Sequence, residues 1–368
     1  MTAPDPTTGM MHVLVVAEQL RRTAPGGIGT YLRSLVGALD GDPEVTLLAA
    51  RPPSGPDPVA ALGLPVVTSP LPGRVLTRAW LRGLAGVTGR RFDVVFAPSL
   101  AAPPTGSVPL AVAVHDVAWR RLPDAYPARG RRWHDRALAR AARTAAALFV
   151  PSTGTADEVV AAGAPHQRVH VLDPMYGCDH LPTADRAGVA ALLARLGVAG
   201  PYLLAVGTLE PRKNLARLVE AYRRAVPDLP DPWPLVLVGP PGWGVEAASL
   251  QQVHGVKVAG PVTDAVLAGL YAGARCVAYV PLFEGYGLPA VEAMAAAVPV
   301  VASPVPSTAG AAHEVDPLDV DGIAAGLVTA AGDDRRRAEL VTAGLLRAGD
   351  LTWKAAARTH REAWRAVG

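Results

Sequence analysis

Two glutamates, an arginine–lysine pair and a histidine–aspartate pair are the side chains of this 368-residue chain best placed to do chemistry. Glu284 and Glu292 lie in Phe283-Glu284-Gly285-Tyr286-Gly287-Leu288-Pro289-Ala290-Val291-Glu292-Ala293-Met294, with seven residues between them. Carboxylates only accept hydrogen bonds when ionised, and a sugar offers mainly hydroxyl donors, so the pair suits a polyol. Arg212 and Lys213 stand in Gly207-Thr208-Leu209-Glu210-Pro211-Arg212-Lys213-Asn214-Leu215. Two fixed cations at the start of a helix suit a diphosphate, because the helix N-terminus adds to their field. His115-Asp116 closes the apolar run Leu110–Val114. Each feature also has a plain structural role. A glutamate can cap its helix against the macrodipole, an Arg-Lys pair can be a solvated turn, and a lone histidine after a strand is more often structural.

These residues also fall at one kind of place in the chain. Short apolar runs at 12–17, 45–50, 92–97, 110–114, 145–150 and 169–172, then at 201–206, 235–239, 256–260, 275–280 and 298–302, read as buried parallel strands. Segments of helical apolar spacing alternate with them. The site candidates all follow such runs, at the carboxyl ends where open α/β sheets bind ligands. Asp173–Gly188 mixes Pro, Gly, Asp and Thr and is the best linker. Two doubly wound α/β domains are expected, 10–180 and 181–352, with a terminal helix at about 353–368 crossing back to the first.

After the first strand comes the loop Thr23–Thr30, with Gly27 and Gly29, and then a helix from Tyr31 to Leu39. No third glycine follows Gly29 at the dinucleotide offset, which disfavours a nicotinamide enzyme. Pro52–Pro72 reads mostly as loop. Arg74, Arg78 and Arg82 then repeat at helical spacing beside Val75, Leu76, Trp80 and Leu81, with Arg90 and Arg91 beyond. A solvated helix face is the commoner outcome of such a pattern; a basic helix lying on a membrane is the alternative. Arg120–Arg143 carries eight arginines against Asp124 and Asp135, a second basic surface.

The net charge of +3 is unevenly placed. The first 175 residues hold 18 arginines and no lysine against 13 acidic residues; the rest holds 17 basic and 19 acidic. That suits an anionic acceptor or membrane surface and gives no reason to expect nucleic acid as a partner. Cys178 and Cys276 make neither a disulfide framework nor a metal cluster. With no signal-like N-terminus and no apolar run long enough to span a bilayer, a cytoplasmic protein is expected, peripheral to the membrane at most.

The phrase from Phe283 to Met294 resembles the carboxylate motif of the family 4 retaining glycosyltransferases (group 1 glycosyl transferases), in which two glutamates keep this separation. Gly207–Leu215 is similar to that family's donor-diphosphate phrase, and Gly177-Cys178-Asp179 to its hinge phrase. The resemblance covers nearly the whole chain. It implies the GT-B fold, two Rossmann-like domains facing across a cleft, and a retaining, metal-independent hexosyltransferase. The donor would be a nucleotide-diphosphate sugar and the acceptor lipid-linked, saccharide or small-molecule, with no other cofactor. It also implies roles. Arg212 and Lys213 would neutralise the leaving diphosphate. Glu284 would hold donor-sugar hydroxyls, with Gly285, Tyr286, Gly287 and Leu288 beside it, and Glu292 the ribose. His115 and the Gly27–Gly29 loop would shape the reacting centre. A nucleotide-sugar epimerase or a non-glycosidic coupling enzyme could use the same fold, as could a catalytically silent binding subunit. Two departures flank the donor pocket: Ala296-Ala297 replaces the usual Cys-Gly, and Ser303–Gly310 is shortened and lacks the usual glutamate.

Overall fold

The computed structural model describes residues 10–22, 25–87 and 92–368. The first sheet contains β1 (His12–Val16), β2 (Glu44–Ala49), β3 (Val66–Thr68), β4 (Val94–Ala97), β5 (Leu110–Ala113), β6 (Ala147–Val150) and β7 (Val169–Val171). The second contains β8 (Leu203–Val206), β9 (Leu235–Val238), β10 (Val256–Gly260), β11 (Cys276–Tyr279), β12 (Val300–Ala302) and β13 (His313–Glu314). Their orders are β3-β2-β1-β4-β5-β6-β7 and β10-β9-β8-β11-β12-β13. Every pairing is parallel. Parallel strands covered on both faces need unbroken apolar runs, and Val13–Val16, Val94–Ala97 and Leu235–Val238 are buried throughout. In each sheet the order reverses at one place, between β1 and β4 and between β8 and β11. That reversal opens a crevice at the carboxyl ends of the two strands.

The chain forms two compact units. The first holds the described residues up to His115, then Arg132–Tyr176 and Trp353–Gly368; the second holds Asp116–Arg131 and Gly177–Thr352. The segment Asp116–Arg131, placed with the N-terminal half by sequence, thus packs with the second unit, and the division falls inside helix Ala128–Thr144. In the first unit, helix Trp353–Val367 buries His360 and Trp364 against the sheet. Tyr31 lies at the centre of this core, its ring 5.1 Å from His115, 5.3 Å from Tyr176 and 5.7 Å from His360. In the second unit, helices Leu215–Ala225 and Val320–Gly332 bring Leu218, Tyr222, Ile323 and Leu327 into one core with Leu203, Leu235 and Leu237.

Two expectations within the first unit change. Pro52–Pro72 holds a short helix, Ala60–Leu62, and the edge strand β3. β3 is three residues long with Val67 and Thr68 exposed, so it leaves no burial pattern to read. The glycine loop is largely helical: helix Gly26–Gly37 starts early enough to take in both Gly27 and Gly29. Helix Gly73–Leu81 turns Leu76 and Trp80 into the core, each 1% exposed, and leaves Arg74 and Arg78 at the surface. Val75, on the same helix, stays 46% exposed; Arg90 and Arg91 lie outside the described residues. Among the described residues no helix is long and apolar enough to cross a membrane.

Candidate functional site

The strands flanking the reversal in the second sheet, β8 and β11, supply the two loops that carry Arg212, Lys213 and Glu284. Close backbone approach shapes the first loop. Gly207 and Gly239, after β8 and β9, have φ of 156° and 151°. A β-carbon on Gly239 would stand 2.0 Å from the Gly207 carbonyl oxygen, so only glycine lets these strand ends meet. The chain then makes one tight turn, Pro211–Lys213, and reaches Asn214 at φ 60°. Asparagine tolerates this left-handed conformation better than most residues. Its Nδ2 donates to the carbonyls of Val280 (3.0 Å) and Pro317 (2.7 Å), and its Oδ1 accepts from Arg217 Nη1 at 2.5 Å. Leu282 N also donates to the Arg212 carbonyl at 2.9 Å. These bonds lock the loop after β8 to the loop after β11.

Three charges meet where the loops join. Glu284 Oε1 lies 2.5 Å from Arg212 Nη1 and 2.5 Å from Lys213 Nζ, and all three side chains are 11–12% exposed. Lys213 Nζ also donates to Tyr279 OH at 3.1 Å. Arg212 donates to the Phe283 carbonyl at 3.2 Å and to Glu210 Oε1 at 2.7 Å. Burial alone would raise the Glu284 pKa; Lys213 and Arg212 overcome it and hold the carboxyl at about 2. Burial likewise opposes the charge on Arg212, yet Glu284, Asp116 and Glu210 keep its pKa well above the ordinary value. Glu284 and Arg212 are therefore charged at neutral pH, in a poorly hydrated place where electrostatic interactions are strong.

Glu292 does not join this cluster. It lies in helix Leu288–Ala295, 7% exposed, where Oε2 accepts from Tyr271 OH at 2.8 Å and Oε1 lies 3.3 Å from His180 Nε2. Between the two glutamates, Gly287 takes φ 103° and starts that helix. The divergent segment Ser303–Gly310 packs directly beneath. Ser307 N donates to the Tyr286 carbonyl (3.1 Å) and Ser307 Oγ to the Gly287 carbonyl (2.8 Å). Arg347 Nε in turn holds the Ser307 carbonyl at 2.8 Å. The departures from family wording thus set the backbone carrying Tyr286 and Gly287.

His115, Gly27 and Gly29 belong to the first unit. His115 Nε2 lies 2.8 Å from the Pro98 carbonyl, which can only accept, so Nε2 carries the proton. In the neutral ring Nδ1 is then the acceptor for Tyr176 OH, at 2.5 Å. Both ring nitrogens are engaged, as a positioned imidazole requires. Gly27 has open space around its α-carbon, whereas a β-carbon on Gly29 would stand 2.4 Å from Pro25 Cβ. Gly29 is thus needed for packing, and Gly27 lies in the first turn, where amides lack helical partners.

Of the motif residues, Arg212, Lys213 and Glu284 are brought together. Sequence reasoning missed Tyr279, Tyr271 and His180, whose distance along the chain gives no signal. It also gave no role to Glu210 and Asn214, which stand inside the quoted phrase. Among the described residues no group of three or more His, Cys, Asp or Glu is arranged to hold a metal ion.

Comparison with known proteins agrees with this architecture. Residues 200–343 match the family "Glycosyl transferases group 1", and residues 26–174 match a "Glycosyl transferase 4-like domain". The chain belongs to the group 1 glycosyl transferases, of GT-B fold. The O-antigen chain mannosyltransferase B of Escherichia coli is 30% identical over 250 residues, 65% of this chain and 66% of that protein. The D-inositol 3-phosphate glycosyltransferase of Kineococcus radiotolerans is 37% identical over 161 residues, 39% of this chain and 36% of that protein. These matches span just under two thirds of the first relative's length and about a third of the second's. The crystal structure of Anabaena HepE with UDP and glucose superposes with TM-score 0.72 at 18% identity, covering 97% of this chain and all of that one.

Proposed function

We propose that the protein transfers a hexosyl group from a nucleotide-diphosphate sugar to an acceptor hydroxyl, with retention of anomeric configuration and without a metal ion. The observation that carries this is the convergence of Arg212 and Lys213 on one buried carboxylate at the reversal between β8 and β11. Two buried cations held by backbone at a sheet's ligand edge suit a diphosphate, whose charge grows as the glycosidic bond breaks. Family membership and the names of the relatives, two of them sugar transferases, support the same reading.

In this reaction the acceptor oxygen bonds to the anomeric carbon as the carbon–diphosphate bond breaks on the same face. The acceptor proton passes to the departing diphosphate. Arg212 and Lys213 take up the charge that a metal ion would otherwise balance. Glu284 orients the donor-sugar hydroxyls, fixed for that task by the cations beside it. Glu292 faces the ribose, with Tyr271 and His180 keeping its carboxylate in place. Gly285, Tyr286, Gly287 and Leu288 form the wall under the donor, while His115, Gly27 and Gly29 serve the acceptor side.

Incubation with candidate donors and acceptors, followed by NMR of the product anomeric linkage, tests this reading. The expected product keeps the donor's configuration, and turnover persists in excess EDTA. An inverted product, or loss of turnover with EDTA restored by a divalent cation, would contradict the proposal.

A further inference from the structure

At the carboxyl ends of β1 and β2 in the first unit, beside the helix that follows β3, lies a cleft of about 560 Å³ lined by Glu18, Arg21, Arg22, Arg51, Arg74 and Thr77. Its floor is built from charges that are already satisfied. Arg21, with its side chain 7% exposed, donates from Nε and Nη2 to Asp57 at 2.9 and 2.5 Å and from Nη1 to the Ala50 carbonyl. Glu18 is 7% exposed and accepts from Ala50 N at 2.8 Å. A β-carbon on Gly73 would stand 1.8 Å from Glu18 Oε1, so this carboxylate abuts the first turn of helix Gly73–Leu81, where free amides favour it.

The rim differs. Arg22, Arg51 and Arg74 are exposed and project around the same opening. Among the described residues, the side chains of Arg51 and Arg74 make no hydrogen bond or ion pair, and Glu18 is the lone carboxylate of the lining. Guanidinium groups lining a concave site favour an anion there. Their planar forks match phosphate oxygens in pairs. The cleft is larger than a phosphate needs and falls within the range that holds a small organic molecule.

We propose that this cleft binds the phosphate group of a phosphorylated sugar or polyol, with Arg51 and Arg74 as its principal ligands. That this molecule is the acceptor rests on the glycosyltransferase reading; the anion site does not. The phosphate sits at the arginine rim, and Thr77 and Glu18 meet the hydroxyls of the body behind it.

Titration of the full-length protein with inorganic pyrophosphate tests the site in a Lys213→Ala background, which removes one donor-side cation. Pyrophosphate is expected to raise the melting temperature of this variant, and adding Arg51→Ala and Arg74→Ala should weaken its binding at least tenfold. In otherwise unaltered protein, Arg51→Ala/Arg74→Ala should leave nucleoside diphosphate affinity within twofold. Pyrophosphate affinity unchanged by the arginine substitutions would overturn the proposal. Loss of nucleoside diphosphate binding in the unaltered protein, with arginine-dependent pyrophosphate binding intact, would sink the donor reading and leave this one standing. Sedimentation with phosphatidylglycerol vesicles separates a lipid source. Vesicle binding that pyrophosphate displaces supports the cleft. Arginine-dependent vesicle binding that pyrophosphate neither displaces nor accompanies would overturn it.

Discussion

Glu284 serves two cations at once, and that fixes what its removal should do. Arg212 and Lys213 are both largely buried against it, so Glu284→Gln leaves two charges without their shared partner. Breaking a buried pair from one side costs about 3–5 kcal/mol, and chemical denaturation should show a loss of that order. Lys213→Met should cost less, because Glu284 keeps Arg212. If the cations bind a diphosphate, a saturating nucleoside diphosphate should restore much of the stability of Glu284→Gln; no rescue would count against the site. The pH dependence follows from the same geometry. The folded pKa of about 2 lies below the ordinary 4.5, so the contribution of Glu284 is complete above about 4.5 and is lost as pH falls toward 2. His360 adds a second window. Burial, with His115 nearby, lowers its pKa to about 4 against the contribution of the Ala356 carbonyl. A lowered histidine pKa stabilises the fold above about 6.5, and stability should fall between 6.5 and 4 by roughly 3 kcal/mol. Thermal melts of His360→Gln should show a flatter profile over that interval.

Two elements carry their own tests. Helix Leu288–Ala295 ends in a Schellman motif: Val298 N donates to the Ala293 carbonyl and Ala297 N to the Met294 carbonyl, at 3.1 and 3.0 Å. The residue after the cap must then be left-handed, and Ala297 has φ 59°. This is the position where the family usually has glycine, so Ala297→Gly should stabilise the fold by about 1 kcal/mol, read from the denaturation midpoint. Gly239→Ala should do the reverse and cost several kcal/mol, because its new methyl would overlap the Gly207 carbonyl. Elements of this kind also mark how far the sequence could be read. The strands flanking each reversal were legible because burial on both faces forces unbroken apolar runs. β3 and β13 were not, being three and two residues long at sheet edges. The start of helix Gly26–Gly37 was hidden because glycines read as loop while Pro25, without a side-chain cap, opens the helix. Arg212, Lys213 and Glu284 were legible as motif residues, whereas Tyr271 and His180 reach Glu292 only through folding.

The whole molecule repeats one plan twice, a doubly wound parallel sheet whose strand order reverses once. The copies have diverged in charge. In the second, the loops at the reversal gather two cations and a carboxylate; in the first, arginines collect at the carboxyl ends of β1 and β2. Such a division suits an enzyme whose two substrates are both anionic, a nucleotide sugar and a phosphorylated acceptor. The central claim is that Arg212 and Lys213 hold a nucleotide diphosphate. Isothermal titration of UDP, GDP and dTDP against the unaltered protein and Lys213→Ala tests it most directly. At least one of the three should bind the unaltered protein and bind Lys213→Ala at least tenfold more weakly. Equal affinity for the two proteins, or no binding of any of the three, would contradict the account.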